Sequence, residues 1–256
     1  MVGGRCARVQ TRAVTPPRPR LVPLLALLAK QHPELTEPEQ LVAEQRVRVD
    51  GTIVTNPRAR VRADAGTTIL PVDVPRGRDK LGGALRLLGV DAVVDGAVCL
   101  DVGASTGGFT LALLEAGAER VYAVDVGHGQ LLGRLRGDPR VVNLERTNVA
   151  DLSVALVPDP LDVVVVDVSK LSLGEAVRQL TSRVSLRSGA TLVGLVKPMF
   201  ELRRGELPTD PADLAAACDR ASAAVAAAGW SVVDVVDSPL RGNRGAVEYF
   251  LHARRG

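Results

Sequence analysis

The chain has 256 residues, 46% of them hydrophobic, and carries 32 lysines and arginines against 29 aspartates and glutamates. That length and apolar share suffice for a full α/β core with a small extra domain, while bulk charge by itself points to no partner. Cys6, Cys99 and Cys218 are too scattered for a disulfide framework, three histidines make no zinc set, so no metal is expected, and no apolar run approaches membrane-spanning length.

Charge is unevenly placed. Residues 1–80 hold 14 basic and 8 acidic residues, and five arginines (Arg5, Arg8, Arg12, Arg18, Arg20) fall in the acid-free segment 1–20. A basic arm ahead of a nearly neutral body suits a polyanionic partner, or equally a disordered solubilising tail. Such a start imitates an organelle transit peptide, but no cleavage pattern follows it, so a reduced cytoplasm is the expected location. Residues 21–30 predict a short helix ended by Pro33, and Thr36-Glu37-Pro38-Glu39 predicts the cap and first turn of a second. Residues 47–54 alternate about Asp50-Gly51, the pattern of a β-hairpin, with more strand material at Val61 and 68–70. Segment 21–74 therefore reads as a compact helix–helix–hairpin module, 75–79 as a linker, and 80–256 as a second domain.

From Lys80 onward helices alternate with Val-rich runs at 97–100, 121–124, 141–144, 161–166, 191–196, 231–236 and 249–252. Near-continuous apolar strands between helices predict an α/β domain with a mostly parallel, seven-stranded sheet covered on both faces. The last two runs, joined through Gly242-Asn243-Arg244-Gly245, read as an antiparallel hairpin. Residues 212–228 predict an Ala-rich helix stopped by Gly229.

The first strand of this domain ends in Asp101 and runs into the small-residue loop Gly103-Ala104-Ser105-Thr106-Gly107-Gly108-Phe109; the next ends in Asp125. Two acids at the carboxyl ends of neighbouring parallel strands mark a nucleotide-type crevice. The spacing is not that of a dinucleotide loop, and no Lys-Ser/Thr pair follows it, which speaks against a phosphate ligand. S-adenosylmethionine fits better, with Asp101 facing its ammonium and Asp125 its ribose hydroxyls. The alternative is a bare strand-to-helix turn, and the second acid in a ribose partner's place argues against it.

Charged groups end other strands too. Asp167 follows Val163-Val164-Val165-Val166, Lys197 follows Leu195-Val196, Glu248 precedes Tyr249-Phe250-Leu251, and Lys80 opens a helix. Singly each reads as an ordinary ion-pair partner; together they converge on the cofactor rim. A lysine tuned by carboxylates serves as a general base. The stretch Asp167-Val168-Ser169-Lys170 has no cysteine for ring-carbon methylation, and lacks the prolines and aromatic expected for amine methylation. Lysine-assisted attack by a hydroxyl remains.

Residues 101–110 (DVGASTGGFT), 121–131 (VYAVDVGHGQL), 144–149 (LERTNV), 195–201 (LVKPMFE) and 245–251 (GAVEYFL) carry a specific resemblance. Over about residues 40 to 252 the chain resembles the TlyA/haemolysin-A family of ribosomal RNA 2′-O-methyltransferases, whose catalytic domain is of the FtsJ type. The resemblance implies a Rossmann-like methyltransferase domain and S-adenosylmethionine as cofactor. It implies a Lys-Asp-Lys-Glu tetrad on Lys80, Asp167, Lys197 and Glu248, with Lys197 as base for a ribose 2′-hydroxyl. Cofactor contacts would come from Asp101, Gly103, Ser105, Thr106, Gly107, Gly108, Phe109, Asp125 and Asn148, and the substrate would be cytidine in rRNA of the ribosomal subunits.

Segment 21–74 looks like the small RNA-binding fold first described in a small-subunit ribosomal protein, which implies RNA contacts from Arg46, Arg48, Arg58, Arg60 and Arg62. Its helical half departs from the pattern, with Arg20-Leu21-Val22-Pro23 and Thr36-Glu37-Pro38-Glu39 where Arg-Leu-Asp and Ser-Arg are usual. Lys170 stands in place of a usual Phe and Arg78 in place of a glycine, so either is expected to add an RNA phosphate contact or to alter target choice. A monomer is expected. Competing classes are a non-catalytic RNA-binding or ribosome-assembly protein, a cytolysin, and a small-molecule O-methyltransferase. An intact tetrad argues against the first, the lack of spanning or amphipathic segments against the second, and the 2% aromatic content against an enclosed apolar pocket for the third.

Overall fold

The computed structural model of the chain describes residues 20–43, 46–70 and 75–256, which fall into two compact units, one up to residue 72 and one from residue 73. Arg5, Arg8, Arg12 and Arg18 of the basic arm lie outside the described residues.

In the first unit, β1 (Leu21–Pro23) precedes α1 (Leu24–Gln31) and α2 (Pro38–Ala43). The helix expected from residue 21 thus starts three residues later. Pro23 has extended ψ (137°) at the N-cap, and the residue before a proline avoids the helical region, so 21–23 pair instead with β4 (Arg60–Arg62). The expected hairpin is present as β2 (Val47–Val49) and β3 (Thr52–Ile53). Asp50 and Gly51 both have positive φ (47° and 82°), which suits the right-handed twist of the strands. The Asp50 carboxylate accepts from the Gly66 N–H, and β5 (Thr67–Ile69) completes a three-stranded sheet on β2. Leu24, Leu27, Leu28, Val42, Val47 and Val49 form its core.

The second unit runs α3 (Arg76–Leu87), β6 (Val98–Val102), α4 (Gly108–Glu115), β7 (Arg120–Asp125), α5 (Gly133–Arg136), β8 (Val141–Glu145), β9 (Leu161–Val166) and α6 (Leu173–Thr181). Then follow β10 (Leu186–Val196), α7 (Pro198–Glu201), α8 (Pro211–Ala227), β11 (Trp230–Asp237) and β12 (Tyr249–Arg255). Seven strands form one sheet in the order β11-β12-β10-β9-β6-β7-β8. β6–β10 are parallel, and β12 is antiparallel to both β10 and β11. The Val-rich strands bury on both faces, with one apolar cluster on each side of the sheet. Between β6 and β9 the strand order reverses, and the loops there diverge to leave a crevice.

Two details differ from the sequence reading. β10 begins at Leu186, not 191, because a register shift carries the polar Arg187 and Ser188 and the positive-φ Gly189 before pairing with β9 resumes at Thr191. Residues 76–79 are not a linker but the first turn of α3, since Leu81, Ala84 and Leu85 bury one helix face and Pro75 caps its start. Gly77 then lies against Gly108 of α4, where a Cβ on Gly108 would stand 2.8 Å from the Gly77 Cα. Backbone cannot yield as a side chain does. Gly108→Ala is therefore expected to cost about 1–3 kcal/mol of stability in urea unfolding, and Gly77→Ala, whose Cβ would have 3.3 Å, less.

Candidate active site

The crevice outside the ends of β6, β7 and β9 has a volume of about 620 Å³, within the range of small-molecule sites. Gly103, Ser105, Asp125, Asn148, Asp167 and Lys170 are among the residues lining it. Gly103 (φ 93°) passes so close to β9 that a Cβ would meet the Asp167 carbonyl at 2.1 Å, so only glycine lets this loop lie over the strand end. A second opening shares Gly103, Ser105 and Asp167 and adds Gly77, Thr106 and Gly108. Gly107 (φ 92°) caps α4 and faces Leu131 and Leu135, and the Phe109 ring packs on Phe250 (centroids 6.0 Å apart) in the core.

The two acids that the sequence places together at this site have different environments. Asp125 ends β7 at the crevice wall, with one oxygen accepting from Ser105 N (2.8 Å) and the other from Gly127 N (2.7 Å). Asp101 is fully buried beneath the loop, with Oδ2 accepting from Thr110 Oγ1 (2.6 Å) and Oδ1 without a partner. Burial lifts its carboxyl to about 7, with Asp167 adding repulsion and the Thr110 hydrogen bond opposing. Its side chain is not among those lining either opening. Asn148 lines the crevice, but its Oδ1 is taken by the Ala150 N–H, which leaves its amide N–H groups to face a ligand.

The four rim residues form two ion pairs. Lys80 Nζ donates to Glu248 Oε2 at 2.6 Å, and Lys197 Nζ lies 2.5 Å from Asp167 Oδ1 and 3.4 Å from Ser169 Oγ. Each comes from a different element: α3, the end of β9, the end of β10 and the start of β12. The β10–β12 register sets Val196 opposite Tyr249, so Lys197 and Glu248 leave neighbouring strands at the same level, and both line one small cavity. Gly242 makes room for the Glu248 carboxylate, which a Cβ there would meet at 2.2 Å.

Sequence reasoning passed over Ser169 and Glu145. The latter, at the end of β8, accepts from Gln130 N, Leu131 N and Asn143 Nδ2 and so orders the loop beside Asp125. Burial alone would raise its carboxyl, but these donors outweigh it and hold it at about 2. An acid two residues after an Asn on a strand carries no signal of its own.

The arginines assigned to RNA are distributed less uniformly than their sequence suggests. Arg48 and Arg58 are exposed. Arg46 Nε donates to Leu70 O, Arg60 to Leu21 O, and Arg62 forms a two-pronged bond to Asp64. Arg78 is held by Glu115 and Asp79, and Lys170 stands exposed at the crevice rim with φ 72°. Among the described residues no cluster of metal-ligating side chains occurs and no helix is long and apolar enough to cross a membrane.

The residues fit S-adenosylmethionine by their donor set. The crevice has a backbone-held carboxylate for ribose hydroxyls, an amide for an adenine edge, and an unsatisfied buried carboxylate behind the loop, the complement of a cationic nucleoside.

The FtsJ-like methyltransferase family matches residues 74–255. The 16S/23S rRNA (cytidine-2'-O)-methyltransferase TlyA of Mycobacterium tuberculosis (strain H37Rv) is 40% identical over 224 residues, covering 84% of this chain and 82% of that protein. Hemolysin A of Brachyspira hyodysenteriae is 36% identical over 185 residues, 70% of this chain and 75% of that one. Among solved structures, a candidate hemolysin from Streptococcus thermophilus superposes with a TM-score of 0.66 at 29% identity, covering 93% of this chain and 89% of its own.

Because Asp101 loses its proton less readily when buried, the native state loses stability as pH rises from the ordinary carboxylate range, about 4, to about 7. Asp101→Asn removes this penalty. Its melting temperature relative to the parent should rise between about pH 5 and about pH 8, and a difference that stays flat would contradict the burial account.

Proposed function

This chain belongs to the FtsJ-like methyltransferase family, and on that premise we propose that it methylates a ribose 2′-hydroxyl of ribosomal RNA, a cytidine as in the relative from Mycobacterium tuberculosis. The observation that carries the reading is the pair of ion pairs, Lys197–Asp167 and Lys80–Glu248, gathered beside the crevice. S-adenosylmethionine supplies a methyl group on a cationic sulfur, which an oxygen nucleophile displaces in line. With the donor bound, Lys197 would accept the hydroxyl proton as the methyl group is transferred from sulfur to oxygen. Asp167 aims that amine and stabilises the ammonium it becomes, and Ser169 gives it a second anchor. Lys80 and Glu248 hold each other at the rim, where they fix the sugar.

Asp125 takes the donor's ribose, Asn148 its base, and the Gly103–Ser105 loop its amino-acid end. RNA would be met by Lys170 at the rim and by the exposed Arg48 and Arg58 of the first unit, a role for polar, cationic contacts in a chain poor in aromatics. An rRNA substrate would place its work in the cytoplasm, and we read the chain as a monomer.

Ribosomal subunits from cells lacking this protein, incubated with it and labelled donor, should gain a 2′-O-methylcytidine detectable by nucleoside mass spectrometry. Lys197→Ala or Asp167→Ala should lower that turnover by about 10²-fold or more while S-adenosylhomocysteine still binds. Parental turnover in either variant removes the assigned base. Asp125→Ala should instead weaken binding of S-adenosylhomocysteine in calorimetry about tenfold, as expected for the loss of hydrogen bonds to a charged acceptor.

A further inference from the structure

Glu201 is 3% exposed, yet the mechanism above leaves it without work. It ends α7, the one-turn helix that Lys197 opens, and its N–H donates to the Lys197 carbonyl (3.1 Å). Its Oε1 accepts from the Leu173 N–H (2.7 Å), the first residue of α6, and Oε2 is buried without a partner. Leu173 is also pressed onto Gly194 of β10, where a Cβ would stand 2.5 Å from its Cδ1. Only the loop 168–172 separates Leu173 from Asp167.

These contacts close a ring. It runs from Asp167 through the short loop to Leu173, across to Glu201, back through one helical turn to Lys197, and from Lys197 Nζ to Asp167 Oδ1. Burying a carboxylate with one backbone hydrogen bond and the nearby Arg220 charge to offset it is costly, and Ser172 already caps α6 through the Glu175 N–H. Glu201 adds what that cap cannot: a tie between the two strand ends that carry the amine and its partner.

We propose that Glu201 is a positioning residue which, by holding the Leu173 N–H, sets the approach of Lys197 to Asp167 for proton removal. The proposal rests on the methyl-transfer reading for its kinetic consequence but not for its geometry. The chain has four lysines, Lys30, Lys80, Lys170 and Lys197, so acetylation by acetic anhydride can be followed at each by peptide mass spectrometry. In Glu201→Ala, Lys197 should label several-fold faster than in the parent while Lys80, paired with Glu248, keeps its rate. Glu201→Gln, which retains the acceptor, should restore parental labelling.

In the rRNA assay Glu201→Ala should lower kcat about tenfold or more, with affinity for S-adenosylhomocysteine unchanged, since misplacement of a reacting group acts on turnover. Should truncation prevent folding, Glu201→Asp keeps the charge but falls short of Leu173 and should show the same selective labelling. Parental labelling of Lys197 in the truncated variant overturns the proposal. So does an equal rise at Lys197 and Lys80, which would mean general loosening. A parent protein that methylates no rRNA, with selective labelling intact, would instead remove the proposed function and leave the positioning role standing.

Discussion

An ammonium at the end of a buried strand is tolerable only with a carboxylate within hydrogen-bond reach, because desolvation otherwise outweighs its interactions. Lys197 at the end of β10 meets that condition, and Lys80, half-buried in α3, has a carboxylate within reach as well. Lys80 reaches Glu248 across 168 positions, and Lys197 reaches Asp167 from the neighbouring strand. Each pair joins separate elements, so the same contacts that neutralise the charges also fix where the strand ends lie. A rigid frame for two amines and two carboxylates follows from the need to bury them.

The loop that covers the crevice is governed by closeness of approach. Gly103 leaves no room for a side chain against Asp167, and Gly108 leaves none against Gly77. Such glycines serve the packing of backbone on backbone as much as access for a ligand. The two acids of this loop region illustrate how environment divides roles. Asp125 is held at the wall by two backbone N–H groups, whereas Asp101 lies beneath the loop, bonded to Thr110 and lifted toward neutrality by burial. A carboxylate at the surface can meet a sugar; one under the floor shapes the floor.

A relative named as a hemolysin and one named as an rRNA methyltransferase each resemble more than two thirds of this chain. Two amine–carboxylate pairs stand beside a crevice of nucleoside size, and no helix among the described residues is long and apolar enough to cross a membrane.

Much was legible in the amino-acid order alone. Valine runs such as Val163–Val166 announce strands covered on both faces, Asp50-Gly51 announces a tight hairpin, and acids or lysines at the ends of apolar runs announce a rim, because each depends only on neighbours in sequence. What that order left open depends on contacts across the chain. Pro23 turned an expected helix start into a strand that pairs with β4, and residues 76–79 became helix because Leu81, Ala84 and Leu85 bury one face of α3, which sets Gly77 against Gly108. Pairing of Lys80 with Glu248, the sinking of Asp101 below its loop, and the bond from Leu173 to Glu201 were decided only by the folded sheet. It alone brings distant strand ends within hydrogen-bond reach and determines which charges remain in contact with water.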